Sequence, residues 1–316
     1  MRFQTVSLLT VIVLISAAVA YLKISSKFEC RCFQPGCPVI AARNHTGVES
    51  TEMVLFALTP AVWTERRERF TRVFLSQGWT RRQVILFFVI GTRVGPALEL
   101  ENPDLHLVKR ERGVVDYLFA PCKDNEDERN NPADTASTAC KAYEGYKHAV
   151  AKYKAKYVWR VDTDSYLDIR LFLTKMAPTL QKTRLFMGRE RVPNTDNWDL
   201  VLDRQPRLKE LYHLHQFGRY MSGMGFLMSW DVAEFIAGWS IPPHMNWYDD
   251  VMIGMWLSFF QIDFVDTETM RDYVMFGTDE LQNYAYTRRH TLLVHYMRSK
   301  DWDNIDPVTG VLRFYD

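Results

Sequence analysis

Residues 157–164 read YVWRVDTD, an apolar run that ends in two carboxylates, Asp162 and Asp164, separated by one residue. A strand that ends there presents both carboxylates at its carboxyl end, where ligands usually bind in α/β sheets. A divalent cation held by one or two carboxylates commonly completes its coordination on substrate phosphates. The pattern therefore predicts a metal site for a phosphate-bearing substrate. A strand followed by an Asp-capped turn would contain the same residues.

The overall composition is that of an ordinary folded protein. The 316 residues are 47% hydrophobic and 24% charged, which is enough for one large domain or two modest ones. The formal net charge is +1, and no basic tract interrupts the sequence. We therefore expect no nucleic-acid partner.

The amino terminus differs from the rest because residues 3–22 contain no charged side chain. A helix of that length would span roughly 30 Å, the thickness of a bilayer core. We predict a cytosolic tail at 1–5 and a membrane anchor at 6–22. The alternative is a cleaved signal peptide, since Arg2 supplies a basic start and residues 18–20, Ala-Val-Ala, resemble a cleavage site.

Residues 23–50 contain Pro, Gly and polar residues and are predicted to form a stem before the domain at 51–316. Asn44 begins an Asn-His-Thr acceptor for glycosylation. The stem cysteines, Cys30, Cys32 and Cys37, suggest stem disulfides or a disulfide-linked dimer. Cys122 and Cys140 bracket a polar stretch, where a bridge would close a loop at a gain of about 3 kcal/mol.

Helical and strand patterns alternate through the domain. Helices are predicted at 65–76, 138–153 and 169–180, the last broken near Pro178, with strands at 84–90 and 114–120 and a loop at 123–139. Such alternation predicts an open, mostly parallel sheet covered on both faces. The strand that ends at Asp162 should lie in its middle.

Two further segments in the second half of the chain contain candidate site residues. Residues 220–229 form a β-like apolar run that contains Gly223 and Gly225, typical either of a bulge or of close backbone approach to a ligand, and a helix should follow from Trp230. Asp249 and Asp250 precede a second helical pattern, where acids also favour a helix amino terminus through its dipole.

Three segments in this order, Asp162-x-Asp164, YMSGMGF at 220–226 and DDVMIG at 249–254, resemble the β-1,3-glycosyltransferase family, which includes β-1,3-galactosyltransferases, N-acetylglucosaminyltransferases and Fringe. The resemblance covers roughly residues 60–300. This chain departs from the family at its three-acid run, which is Asp-Thr-Asp here, and at Asp168 and Asp249. The early Arg- and Trp-containing motif of the family is only loosely matched at 65–70. These departures indicate a distant member.

The resemblance implies a GT-A fold, with a mixed, mostly parallel central sheet flanked by helices. It implies a single-pass type II enzyme of the Golgi or ER membrane with its catalytic domain in the lumen. The expected reaction is inverting transfer of a hexose or N-acetylhexosamine from a UDP-sugar to a glycan acceptor, dependent on Mn²⁺ or Mg²⁺ and forming a β-1,3 linkage. The alternatives are a catalytically silent relative that acts as a folding partner or glycan-binding protein, and a calcium-binding lumenal protein.

The resemblance also assigns roles to individual residues. Asp250 is the expected general base, and Asp249 would orient it or bind an acceptor hydroxyl. Metal ligands are expected at Asp162, Asp164 and His295, with His290 as the substitute; a core histidine is the plainer interpretation of His295. The remaining donor- or acceptor-binding candidates are Gly91, Thr92, Lys141, Gly223, Gly225 and Trp247, with Tyr248 beside Trp247 as a second ring for stacking on a sugar.

Overall fold

The computed structural model describes residues 48–94, 100–108, 115–124, 136–191, 219–238, 248–258, 260–267, 273–277, 290–295, 297, 299–310 and 312. The predicted anchor, the stem cysteines and Asn44 lie outside these residues, so those expectations stay predictions. No helix within the described ranges is long and apolar enough to cross a membrane.

The secondary structure alternates as the sequence predicts. The strands are β1 (Glu49–Ser50), β2 (Met53–Leu58), β3 (Val84–Val94), β4 (Leu100–Glu101), β5 (Asp116–Lys123), β6 (Tyr153–Lys154), β7 (Tyr157–Asp162), β8 (Tyr166–Leu167), β9 (Leu185–Arg191), β10 (Tyr220–Ser229), β11 (Asp263–Asp266), β12 (Tyr273–Gly277) and β13 (His290–His295). The helices are α1 (Thr64–Ser76), α2 (Ala136–Lys152), α3 (Ile169–Leu171), α4 (Trp230–Ala237), α5 (Asp249–Ser258) and α6 (Ser299–Trp302).

The central sheet has the strand order β11-β9-β10-β7-β2-β3-β4, and β5 also pairs with β3. Strands β7, β2, β3 and β5 run parallel, while β10 is antiparallel to both β7 and β9. The strand that carries the acidic motif, β7, lies in the middle, as predicted. This mixed, mostly parallel sheet with flanking helices confirms the expected α/β fold class.

Helices cover both faces of this sheet, as the packing of β2 shows. Successive side chains of a strand point to opposite faces, and those of β2 contact a different helix on each face. Leu55 shares a core cluster with Phe70 and Phe74 of α1. Phe56 faces the other side and meets the ring of Tyr146, from α2, at a centroid distance of 5.0 Å. All six residues of β2 are buried, which explains its continuous apolar sequence.

A second, three-stranded sheet has the order β12-β13-β8. Its strand β8 begins two residues after Asp164 and pairs antiparallel with β13 through Leu167–Leu293 and Tyr166–Val294. Since β13 ends at His295, this pairing carries the histidine to the carboxyl end of β7.

Several predicted boundaries change. The helix expected over 169–180 is α3 followed by a π-helical turn, Phe172–Met176, and it ends before Pro178. The prediction of a loop up to 139 was wrong at its end, because α2 begins at Ala136. Strand β2 was not predicted, since a short apolar run has no period that separates a strand from a buried helix. The disulfide between Cys122 and Cys140 is present, with a Cα–Cα distance of 5.8 Å.

Candidate active site

The carboxyl ends of β2, β3, β5 and β7 meet at one edge of the central sheet, because these four strands are parallel. Leu58 at the end of β2 lies in register with Asp162 at the end of β7. Gly91 of β3 and Asp124, which follows β5, lie at the same edge. This is the edge at which open α/β sheets bind ligands.

Asp162, Asp164 and His295 form a cluster at this edge whose potential ligand atoms all lie within 4.8 Å of one another. The Nε2 atom of His295 is 3.3 Å from Oδ2 of Asp162 and 3.4 Å from Oδ1 of Asp164. Met297, two residues beyond the histidine, donates its backbone N–H to the carbonyl oxygen of Asp164 at 2.9 Å. The structure thus brings together all three residues that the resemblance assigns to metal binding.

The charges of this cluster are strongly coupled. Burial alone would lower the pKa of His295, but hydrogen bonds to Asp162 and Asp164 and their negative charges raise it to about 9. Burial works in the opposite sense on Asp162, where the charge of Arg160 and the contacts with His295 outweigh it and lower the pKa. A cation is therefore favoured between the two carboxylates.

The chemistry of the cluster fits a divalent ion such as Mn²⁺ or Mg²⁺. Two carboxylates and one imidazole are ligands that such ions accept. Ligand atoms at about 2.1 Å from one ion lie about 3 Å apart, close to the separations between His295 and the two carboxylates. A metal would displace the proton that His295 shares with them, because a ligating imidazole must be neutral.

Arg160 is a buried cation beside this cluster, with 2% of its surface exposed. Its Nη1 lies 2.8 Å from Oδ1 of Asp162. Its other edge forms an ion pair with Asp249, in which Nη2 donates a hydrogen bond to Oδ1 at 2.8 Å and Nε lies 2.5 Å from Oδ2. Sequence reasoning missed Arg160, although a charged residue inside an apolar strand indicates a buried partner.

Asp250, the expected base, lies in the first turn of α5. Its Oδ2 accepts the backbone N–H of Gly223 at 2.9 Å, and its Oδ1 accepts the N–H of Val251 at 2.7 Å. Burial raises the pKa of Asp250, the charge of Asp162 adds to this, and Arg160 with the two backbone donors opposes it in part. The carboxylate is thus more basic than an ordinary aspartate.

Gly223 and Gly225 lie in a segment where the β9–β10 pairing shifts register, between Met221 and Phe226, so the bulge interpretation is confirmed. A Cβ on Gly225 would lie 2.7 Å from Leu293, and one on Gly223 would lie 3.1 Å from Asp250. Close packing of protein atoms accounts for both glycines. Their expected role in donor binding stays a prediction.

Lys141 is buried and forms an ion pair with Asp124, Nζ to Oδ1 at 2.6 Å. The same carboxylate accepts the backbone N–H groups of Gly91 at 3.0 Å and Ala61 at 2.7 Å, and the side-chain amide of Asn102 at 2.8 Å. Asp124 therefore ties together the ends of β2, β3 and β5. Lys141 acts here through Asp124, a residue that sequence reasoning missed because its partners are far apart in the chain.

The structure places the other candidates as follows. Thr92 donates its hydroxyl to the carbonyl of Ala120 at 3.0 Å. Tyr248 is 37% exposed, next to α5. Trp247 lies outside the described residues, and His290 is at the far end of β13 from His295.

The mixed α/β sheet, with an Asp-x-Asp motif at the end of its middle strand, agrees with the GT-A fold that the resemblance implies. Residues 135–268 match the Galactosyltransferase family model, a range that includes Asp162, Asp164, Asp249 and Asp250. A stretch of 161 residues is 26% identical to UDP-GalNAc:beta-1,3-N-acetylgalactosaminyltransferase 2 of Xenopus tropicalis. It covers 50% of this chain and 30% of that protein, so this chain matches less than a third of the relative. These matches support a distant relationship to the β-1,3-glycosyltransferase family over this part of the chain.

Solved structures with some similarity include the galactosyltransferase LgtC in complex with donor and acceptor sugar analogues, at 10% identity and a TM-score of 0.39, over 78% of this chain and 87% of that one. A glycosyltransferase involved in glycosylation of the major capsid of PBCV-1 has 9% identity and a TM-score of 0.39, over 77% and 92% of the two chains. The bifunctional glycosyltransferase WbbM has 9% identity and a TM-score of 0.41, over 83% and 48%.

Proposed function

We propose that this protein is a metal-dependent, inverting glycosyltransferase that moves a hexose or N-acetylhexosamine from a UDP-sugar to a glycan acceptor hydroxyl and forms a β-1,3 linkage. One observation carries the proposal. The Asp162–Asp164–His295 cluster lies close enough to a further carboxylate, Asp250, for the charge of Asp162 to help raise the pKa of Asp250. Arg160 contacts both Asp162 and Asp249, the chain neighbour of Asp250. This arrangement supports a leaving-group site next to a general base.

Asp162, Asp164 and His295 would hold Mn²⁺ or Mg²⁺. Such an ion, when bound, neutralises charge on the diphosphate leaving group. Arg66, whose Nη1 is 3.9 Å from Oδ2 of Asp164, adds a partly exposed positive charge at the same place.

Asp250 would remove the proton of the acceptor hydroxyl as its oxygen attacks the anomeric carbon. A carboxylate with a raised pKa is a stronger base, and it works here without forming a covalent intermediate. The acceptor oxygen bonds to the anomeric carbon as the bond to the UDP oxygen breaks on the opposite face. The configuration inverts, and the proton ends on Asp250.

The cellular setting is proposed from the sequence. The apolar segment 6–22 supports a single-pass type II membrane protein of the Golgi or ER, with the catalytic domain in the lumen. The disulfide between Cys122 and Cys140 is in keeping with such an oxidising compartment. Glycosylation at Asn44 and a dimer linked through the stem cysteines belong to the same proposal.

The test is a screen of UDP-sugars with the full chain in mild detergent, with UDP release measured with Mn²⁺ and after chelation, followed by linkage analysis of the product. Asp250→Asn should abolish transfer and leave Mn²⁺-dependent UDP binding intact, because it removes the base and keeps the shape of the side chain. Asp263→Asn, at the exposed start of β11, is the control and should leave transfer unchanged.

Full transfer by Asp250→Asn would exclude this residue as the base. A wild-type protein whose thermal stability shows no metal-dependent response to UDP would instead favour the catalytically silent relative.

A further inference from the structure

Arg160 lies on the same face of β7 as Asp162, since the two residues are two positions apart on one strand. Across the sheet it is in register with Phe226 of β10, and its guanidinium lies 5.6 Å from the centre of that ring. A buried charge of this kind is tolerated only where paired groups replace its water. Its partners therefore define what Arg160 holds in place.

Those partners belong to three different elements. Asp162 ends β7, Asp249 begins α5, and Gly223, whose carbonyl oxygen accepts a hydrogen bond from Nη1, lies in the irregular part of β10. The planar fork of arginine can serve several acceptors at once, which a single ammonium group cannot do with the same geometry. One side chain thus links the metal cluster to the segments that surround the base.

The two oxygens of Asp162 divide between two cations. Oδ1 is 2.8 Å from Arg160, while Oδ2 is 3.3 Å from Nε2 of His295. Arg160 therefore fixes the rotation of the carboxylate and leaves Oδ2 directed at the metal cluster. Partners that orient a ligand in this way are known to affect both metal affinity and activity.

A second connection runs from Arg160 to the base through one residue. The carbonyl oxygen of Gly223 accepts from Arg160, while the N–H of Gly223 donates to Oδ2 of Asp250 at 2.9 Å. Asp249, which is ion-paired with the guanidinium, is also the direct neighbour of Asp250 at the start of α5. Two routes thus join Arg160 to the position of Asp250.

We infer that Arg160 is a positioning residue that couples the two halves of the site, orienting Asp162 for the metal and Asp250 for the acceptor. The inference rests on the proposed function. Arg160 contacts neither the donor nor the acceptor in this proposal. We nevertheless expect it to affect both the affinity for the metal and kcat at saturating metal.

The experiment compares wild type with Arg160→Lys, which keeps the charge and loses the fork. Mn²⁺ affinity in the presence of UDP is measured from the free-ion EPR signal, and kcat is measured at saturating Mn²⁺ and donor. We expect the variant to bind Mn²⁺ about ten- to a hundredfold more weakly and to keep a lowered kcat when Mn²⁺ is saturating. The melting temperature is recorded for each protein.

Arg81→Lys is the matched control. Arg81 also bridges two carboxylates, Glu49 and Asp116, but it does so at the opposite edge of the sheet, where β5 begins. It should leave Mn²⁺ affinity and kcat at wild-type values. Asp249→Asn is measured as well, because it loosens one anchor of the guanidinium and keeps the side chain's shape; both readouts should move in the same direction by a smaller factor.

Unchanged Mn²⁺ affinity in Arg160→Lys, or a kcat that recovers fully at saturating Mn²⁺, would overturn the inference. If Arg160→Lys does not fold, wild-type values of both readouts in Asp249→Asn would overturn it. If wild type neither transfers nor hydrolyses any UDP-sugar, the proposed function fails separately, and Mn²⁺ affinity decides whether Arg160 orients Asp162.

Discussion

Gly223 donates a hydrogen bond of 2.9 Å to Oδ2 of Asp250, and a Cβ on Gly223 would lie 3.1 Å from that same oxygen. The nearest atoms around such a Cβ all belong to the Asp250 side chain. The Asp250 carboxylate can therefore occupy its position because residue 223 is a glycine and has no side chain there.

Gly223→Ala should push the Asp250 carboxylate away from its present place and lower kcat by about ten- to a hundredfold, because small displacements of a reacting group are costly. UDP-sugar affinity should change little. Gly238→Ala, at the carboxyl end of α4, is the control: its Cβ would lie 3.2 Å from the carbonyl oxygen of Glu234, a contact about as tight as the one at Gly223, but the nearest atoms belong to α4 and not to the site, so kcat should stay at the wild-type value. Wild-type kcat in Gly223→Ala would show that the base tolerates this contact.

His295→Ala should weaken Mn²⁺ binding by more than about tenfold, since it removes the proposed nitrogen ligand that β13 brings to Asp162 and Asp164. His290→Ala is the control, because His290 begins the strand that His295 ends. Isothermal titration with Mn²⁺ in the presence of UDP measures both. Equal affinities in the two variants would identify His295 as an ordinary buried histidine.

Lys141→Met should destabilise the protein by about 3–5 kcal/mol, because it leaves the buried Asp124 carboxylate without its cation. Lys152→Met removes a lysine 3.9 Å from Asp116 that is half exposed, and should cost no more than about 1 kcal/mol. Urea unfolding followed by circular dichroism gives both values. A loss of UDP affinity without a loss of stability would indicate that Lys141 binds the donor directly.

Stability should fall as the pH drops below about 6.5 because of His148. Burial lowers the pKa of this side chain, helped by Lys152 and opposed by Asp116, and its Nε2 has no hydrogen-bond partner among the described residues. The unfolded chain then binds more protons than the folded one below its ordinary pKa of 6.5, so protonation favours unfolding there. The stability that the neutral His148 contributes is therefore fully present above pH 6.5 and is lost progressively below it.

His148→Phe keeps a ring against Phe87, which lies 5.0 Å away, and removes the titrating group. Melting temperatures from pH 8 to pH 5 should therefore fall less for the variant than for wild type. The comparison between the two proteins is needed because other groups, His295 among them, titrate in both. Parallel curves would show that His148 titrates alike in the folded and unfolded states.

The sequence alone predicted the strand that carries the acidic residues of this site and the class of sheet that contains it. An apolar run that ends in Asp162 and Asp164 predicted a strand with acids at its end, and the alternation of helix and strand patterns around it predicted a mostly parallel sheet with that strand inside. The helix that begins at Asp249 follows from the same local patterns, because polarity and periodicity act over a few neighbouring residues. A bridge between Cys122 and Cys140 was one possibility that the sequence offered, and the structure contains it.

Tertiary structure decided which distant groups meet. His295 reaches the acids only because β13 pairs with β8, and Lys141 is directed to Asp124 only because α2 packs beside the end of β5. Arg160 gave one local signal, a charge within an apolar strand, but its three partners lie on different elements. The reason is physical: a buried charge must be paired, and the fold rather than the local sequence determines which partner is within reach.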